Sequence, residues 1–232
     1  MIGIIFPAYN EEKNIKGVIE DAKKYLPNSF ILVVDDGSTD RTYEIAKKCG
    51  VKVIRHKVNR GKAEAIKTGL NFLLKKGIKI FVLADADGQY RLNKVSNLIK
   101  PILKGEADFV MGCRNWKEVP YRHRLGNLVW RSTFNFLFGT KFRDTNCGFV
   151  AMNRRAARII KKRIYGGYIL ENSMLIACLR EGLRIKQVPV EVHYKRKRGL
   201  EGIRIVLGVL IFIIRQGIKF RWGRSSARES AR

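Results

Sequence analysis

Cysteine is scarce and scattered: Cys49, Cys113, Cys147 and Cys178 form no CxxC pair and no metal-ligand spacing. They read as free thiols of a reducing compartment. His56, His123 and His193 are equally dispersed, so no zinc site is expected. Long apolar runs are missing from the C-terminal segment, where Ile205–Ile214 reaches only 10 residues, against the ~20 needed to cross hydrocarbon. No GxGxxG follows the first strand-like stretch, and "NRGKAE" lacks the spacing and hydroxyl of a P-loop. A nucleotide bound here is therefore held in neither the Rossmann nor the Walker manner. The opening "IGIIFPAYN" is already strand-like and leaves no room for a signal peptide, which predicts a cytoplasmic protein.

Acidic residues are also in short supply, 20 against 47 basic, for a net charge of +27. The excess is uneven. Residues 112–165 carry 13 basic and 2 acidic side chains, and residues 195–232 carry 11 and 2. Such segments call for a polyanion: nucleic acid, an anionic membrane surface or a phosphorylated substrate.

What is present is a globular composition, 46% hydrophobic and 29% charged over 232 residues, enough for one sizeable domain. Strand-like and helix-like patterns alternate over residues 1–111. "IGIIFPA" is followed by a helix over "NEEKNIKGVIEDAKKYL", capped by Asn10 with acids in its first turn. Next come "FILVVDD", a helix opened by Ser38 or Asp40, "VKVIRH", "GKAEAIKTGLNFLLKK", "KIFVLAD", a helix broken near Pro101, and "ADFVMGC". Continuous apolar strands such as Phe30–Val34 suit a parallel sheet covered on both faces, hence an α/β fold. Ligands of such sheets sit beyond the carboxyl ends of the strands. The polar clusters fall there: Tyr9–Asn10–Glu11, Asp35–Asp36 and Asp85–Asp87.

After residue 112 the alternation stops. "LVWRSTFNFLF" places Trp130, Phe134, Phe136 and Phe138 beside basic residues, the composition of a lipid-facing patch or of plain core. "RIKQVPVEVHY" reads as a strand pair interrupted by Pro189. The last apolar run, bracketed by Arg204 and Arg215 and followed by Lys219, Arg221 and Trp222, fits a helix lying in a membrane interface, with a core or oligomer helix and a true membrane span as the alternatives. The division expected is one globular domain over 1–199, an amphipathic interface helix over 200–223 and a disordered basic tail over 224–232.

"DAD" carries two readings. In an extended chain Asp85 and Asp87 point the same way and offer hard oxygens to a divalent ion. Alternatively Asp87–Gly88 is a polar turn. "VVDDGSTD" repeats the ambiguity one strand earlier, as a helix start or as acceptors for a base or ribose.

"PAYNEE", "VVDDGSTD", "NRGK", "DADGQ" and "GCR", in that order, resemble the family 2 glycosyltransferases of GT-A fold. With "RLGN" and "DTNCGF" added, the sequence looks closest to the dolichol-phosphate (polyprenol-phosphate) mannose or glucose synthases, over about residues 3–200. The resemblance implies that Pro7, Tyr9, Glu11, Asp35, Asp36, Lys62 and Asp85 hold the nucleotide sugar. It implies Mg²⁺ or Mn²⁺ on Asp85, Asp87 and Gln89, and a catalytic set of Asp87, Arg114 and Arg124. Arg124, Arg131, Arg196 and Arg198 are the acceptor-phosphate candidates, and Glu171 is a sugar contact, a base for a hydroxyl acceptor, or simply a helix N-terminal acid. The implied activity is inverting transfer of a hexose from GDP-mannose or a UDP-hexose to a polyprenyl phosphate at the cytoplasmic membrane face, with a partner membrane protein or a second copy as further partners. Two departures stand out: Ala63 follows Gly61–Lys62 where the family often has GKG, and the C-terminal transmembrane helices of some members are missing. A hydroxyl acceptor on a glycolipid or polysaccharide is the alternative. A basic nucleic-acid-binding module is disfavoured, because no recognition motif is present.

Overall fold

The computed structural model describes residues 1–115, 121–193 and 202–229, with side chains given except at 121–123, 202–204 and 223–229. Seven strands form one sheet: β1 (Ile2–Ala8), β2 (Ser29–Asp35), β3 (Lys52–Arg55), β4 (Ile80–Leu83), β5 (Phe109–Arg114), β6 (Val150–Asn153) and β7 (Ile185–Val190). Their spatial order is β3-β2-β1-β4-β6-β5-β7. The helices are α1 (Ile15–Tyr25), α2 (Thr42–Lys48), α3 (Lys62–Lys75), α4 (Val95–Leu103), α5 (Tyr121–Phe138), α6 (Arg154–Arg163), α7 (Leu170–Arg180) and α8 (Gly202–Glu229). The α/β architecture expected from the alternation is the one found.

The central strands owe their apolar runs to cover on both faces. Ile4, Ile5, Phe6, Leu32, Val33, Val34, Phe81 and Val82 are all fully buried, as a parallel sheet between helix layers requires. One strand departs from the parallel rule. β6 runs antiparallel to both β4 and β5, with Leu83 opposite Val150. Its amino end therefore lies beside the carboxyl end of β4, and the preceding loop 144–149 is delivered to the edge where ligands bind.

Several local expectations are corrected. Asn10 does not cap α1, which starts at Ile15 with no acid in its first turn. Asn10 instead adopts a left-handed φ of 55°, and its side chain accepts the Thr39 amide at 2.9 Å. Asn and Asp tolerate that conformation because a short polar side chain can bond locally. Helix α4 is not broken at Pro101 but continues to Leu103; two residues of helix remain beyond the ring, too few for a break. Pro189 does not split β7, which runs unbroken from Ile185 to Val190. As the outermost strand it has one open side, where a missing N–H is tolerated.

The aromatic stretch on α5 is mostly core rather than lipid-facing. Phe134 and Phe138 are buried and stack with ring centroids 4.5 Å apart, and Phe138 meets Phe220 of α8 at 5.1 Å. Trp130 packs partly against the core and donates its indole N–H to the Val206 carbonyl at 2.9 Å. Phe136 alone of the four points outward. The helical period separates them, since 134 and 138 share a face and 136 lies ~200° away. Among the described residues, no helix is long and apolar enough to cross a membrane.

Candidate active site

β1 continues past its last β4 partner, the Ile5–Leu83 pair, to Ala8, while its pairing with β2 runs to Asp35. The strand order reverses between β1 and β4, which opens a crevice at their carboxyl ends. Pro7 and Tyr9 line the β1 side, with Tyr9 substantially exposed. Glu11 is anchored beside them: its amide donates to Thr42 Oγ1 at 2.8 Å, and its carboxylate accepts Asn14 Nδ2 at 2.6 Å.

The two acids after β2 have different surroundings. Asp36 is buried and spent internally: Oδ1 accepts the Arg60 amide at 3.0 Å and lies 2.6 Å from His56 Nδ1, while Oδ2 accepts the Gly61 amide at 2.7 Å. It thus fixes the turn that starts α3, where Gly61 has a φ of 90°, a conformation a β-carbon would strain. Asp35 is also buried; Oδ1 accepts the Ser38 amide, and Oδ2 pairs with Arg55 Nε at 3.0 Å without a well-aligned hydrogen bond. Of the two, Asp35 retains the acceptor capacity.

Across the crevice, Lys62 at the first turn of α3 reaches between two carboxylates. Its Nζ is 2.7 Å from Asp85 Oδ1 and 3.2 Å from Glu171 Oε1. These acids follow Lys62 by 23 and 109 positions, so only the tertiary fold unites them. Burial disfavours the ammonium, but Asp85 and Glu171 outweigh it and hold Lys62 protonated well above its ordinary range. Gly148 closes the wall: a β-carbon there would come within 3.0 Å of Asp85 Oδ2 and 3.3 Å of Lys62 Nζ.

Asp85 and Asp87 do not extend along a strand, because β4 ends at Leu83 and residues 86–87 turn. Asp87 accepts both the Gln89 amide at 3.0 Å and Gln89 Nε2 at 2.6 Å. The donor set nevertheless suits a hard divalent ion: two carboxylates and an amide oxygen within five residues. The Lys62 ammonium on Asp85 is a protein cation standing where a positive charge is wanted. Gln89 meets Asp87 with its NH₂, so ligation by its oxygen requires the amide to turn over.

Arg114 at the end of β5 is locked rather than reaching outward. Nε and Nη2 engage Asp144 at 2.6 and 2.8 Å, and the Arg114 amide joins them at 3.2 Å. Burial would lower the guanidinium, but the Asp144 bonds raise it further, so Arg114 keeps its charge. Asp144 was not singled out from the sequence, although it opens "DTNCGF". Tyr90 was also missed. Its hydroxyl accepts the Gly148 amide at 2.9 Å, and burial pushes its ionisation well above the ordinary value, so it stays a neutral donor. Burial likewise pushes the Cys147 thiol up to about 12, which makes it inert.

Arg124 and Arg131 lie on α5 two turns apart and on one face. Arg131 donates to the Arg143 carbonyl at 3.2 Å. Arg196 and Arg198 lie outside the described residues. The structure therefore brings Lys62, Asp85 and Glu171 into contact, places Pro7, Tyr9 and the buried Asp35 at the carboxyl ends of β1 and β2 and Asp87 in the turn after β4, and locks Arg114 at the end of β5 to Asp144.

Residues 3–160 match the family model described as Glycosyl transferase family 2. The chain is 30% identical to the UDP-N-acetylglucosamine–dolichyl-phosphate N-acetylglucosaminyltransferase of Methanococcus voltae, over 91% of this chain and 93% of that one. It is also 30% identical to the dolichyl-phosphate beta-glucosyltransferase of Saccharomyces cerevisiae, over 83% and 66% respectively. The glucosyl-3-phosphoglycerate synthase of Mycobacterium tuberculosis, solved with Mn²⁺, UDP and glucosyl-3-phosphoglycerate, superposes with a TM-score of 0.76 at 25% identity, covering 93% of this chain and 79% of that one. The fold is GT-A.

Proposed function

The chain belongs to glycosyl transferase family 2, and we propose that it moves a hexose from a nucleoside-diphosphate sugar to a polyprenyl phosphate, with inversion at the anomeric carbon. The observation that carries this reading is the convergence of Asp85, Lys62 and Glu171 at the switch-point crevice, beside an α5 that carries Arg124 and Arg131. Similarity to two dolichyl-phosphate transferases supports the acceptor class.

In this reading Asp35 receives hydrogen bonds from the ribose or base, while Pro7 and Tyr9 form the wall against which the base lies. Asp85 and Asp87, with Gln89 turned over, would hold Mg²⁺ or Mn²⁺, which when bound would stabilise the charge on the departing diphosphate. Lys62 adds a second positive charge beside the same oxygens. Glu171 faces the transferred sugar, its carboxylate kept in place by Lys62. A phosphomonoester acceptor is already an anionic nucleophile at neutral pH, so the protein has to position it rather than deprotonate it. Arg124 and Arg131 hold that phosphate through charge-assisted bonds.

The lipid enters from the side where α5 and α8 lie together. Leu207, Ile211, Ile214, Ile218 and Trp222 are all exposed and recur at spacings that keep them on one face of α8. Leu125, Val129 and Phe136 of α5 are exposed as well. With Arg215, Lys219 and Arg221 at its borders, this surface suits peripheral attachment to the anionic cytoplasmic face of a membrane.

A second reading, transfer to a sugar hydroxyl, is favoured by the position of Glu171 beside Asp85, where a base for such an acceptor would stand. Offering purified protein polyprenyl phosphate and hydroxyl acceptors, each with a panel of nucleotide sugars and Mn²⁺, separates the two. Labelled polyprenyl-phosphate hexose is expected; transfer only to hydroxyl acceptors rejects the proposal.

A further inference from the structure

Three asparagine side chains form a continuous polarised line through the interior between the two halves of the site. Asn172 Nδ2 donates to Asn146 Oδ1 at 2.6 Å, and Asn146 Nδ2 donates to Asn127 Oδ1 at 3.0 Å. Asn172 is fully buried and Asn127 nearly so. Each residue belongs to a different element: Asn127 to α5, Asn146 to the loop before β6, and Asn172 to α7.

The two ends of the line meet the chemistry. Asn172 follows Glu171, which pairs with Lys62 and through it with Asp85. Asn127 lies three residues after Arg124 and four before Arg131. In the middle, the Asn146 amide donates to Asp144 Oδ1 at 3.0 Å, the same carboxylate that grips Arg114. Asn146 is thus bonded to the acceptor-side helix, the donor-side helix and the arginine floor at once.

Interior packing alone does not account for amides here. A buried amide carries a desolvation penalty that only hydrogen bonds offset, and Asn172 Oδ1 is buried with no partner among the described residues. Leucine would fill a similar space without that penalty. What leucine cannot do is fix register, because apolar contacts slide whereas a donor–acceptor pair holds one geometry. An amide both donates and accepts, so three in sequence transmit a displacement at one end to the other.

We infer that the Asn127–Asn146–Asn172 line is a positioning device that sets the acceptor-side helix α5 relative to the donor crevice, so that filling the crevice with nucleotide orders Arg124 and Arg131. The inference rests on the proposed function in assigning those arginines to the acceptor. None of the three asparagines touches substrate in this scheme; they act through Glu171 and the arginines.

The test compares wild type with Asn146→Leu and, as a milder change at the end of the line, Asn127→Leu. Amide hydrogen exchange of α5 is measured on the full chain with and without Mn²⁺ and UDP or GDP, alongside nucleotide affinity by calorimetry and steady-state rates. Nucleotide is expected to slow exchange in α5 of wild type, and this response is expected to vanish in both variants while nucleotide affinity stays within about twofold. kcat/KM for polyprenyl phosphate should fall about tenfold, within the range of intersite coupling. Should Asn146→Leu fail to fold, Asn127→Leu decides. The inference is overturned if α5 responds to nucleotide equally in variant and wild type, or in neither. The exchange experiment uses no acceptor, so a wrong acceptor leaves it readable, and absence of nucleotide binding in wild type would refute the donor assignment instead.

Discussion

Lys62→Met removes one charge and keeps nearly the same length of side chain, at the point where two carboxylates depend on it. The ammonium lies 2.7 Å from Asp85 and 3.2 Å from Glu171, with the three side chains 33%, 26% and 13% exposed. Removing one partner of a buried ion pair costs about 3–5 kcal/mol, because the remaining charge is left uncompensated. Solvent reaches this cluster, which trims the cost to about 2–4 kcal/mol. In a chain of this size each kcal/mol moves the melting midpoint by about 2–4 °C, so a drop of roughly 5–15 °C is expected without metal. Mn²⁺ should reverse much of it. With Lys62 gone, nothing competes for Asp85 Oδ1, and a ligand at a hundred times its dissociation constant returns about 2.7 kcal/mol. Differential scanning fluorimetry across a Mn²⁺ titration reads both effects, and the variant should gain more from the metal than wild type does. A midpoint unchanged by the substitution, or raised equally by Mn²⁺ in both proteins, would refute the claim that Lys62 and the metal share Asp85.

Three other outcomes follow from the same geometry. Asp87→Asn keeps the hydrogen-bond acceptor but loses the charge; transferase activity should fall at least about a hundredfold with the circular dichroism spectrum intact, and full activity would remove Asp87 from the metal site. Asp108 is held at about 2, chiefly by the Arg184 hydrogen bonds that outweigh its burial. Its depressed value means that it stabilises the fold above the ordinary carboxylate range and that this contribution fades as pH falls from about 4 towards 2. Asp108→Asn should therefore cost about 2 kcal/mol at pH 7 and almost nothing at pH 2; an equal cost at both would contradict the assignment. Paired Ile211→Glu and Ile218→Glu, both on the exposed face of α8, should abolish sedimentation with anionic vesicles at unchanged melting midpoint.

Much of this was legible in the chain itself, and the reasons are local. Apolar runs such as Phe30–Val34 announce strands covered on both sides, and polar clusters after each run mark the edge of the sheet. The aromatic stretch of α5 was not legible: basic neighbours made Phe134 and Phe138 look lipid-facing, yet the helical period turns both into the core, Phe138 against Phe220 of α8. The start of α1 was missed because Asn10 bonds across to Thr39, 29 residues away, a partner no short window contains. Lys62 meeting Glu171 across 109 residues, and Asn146 joining α5 to α7, are equally non-local. The antiparallel insertion of β6 was the least accessible feature, since its four residues carry no signal of direction.

The two rims of the sheet have a bearing on how this cationic molecule behaves at high concentration. β3 and β7 are the outermost strands, and an open strand is a template on which another chain can aggregate. Here β3 is only four residues long and carries Lys52 and Arg55, while β7 carries Lys186 and Pro189. A second sheet approaching β3 finds only a short strand, where Arg55 is already paired with Asp35 and Glu44; on β7 it finds no N–H at Pro189 and Lys186 already paired with Glu106. Both features disfavour ribbon-to-ribbon growth. Among the described elements, self-association is left to the helices, and the membrane attachment proposed above would occupy α5 and α8 as well.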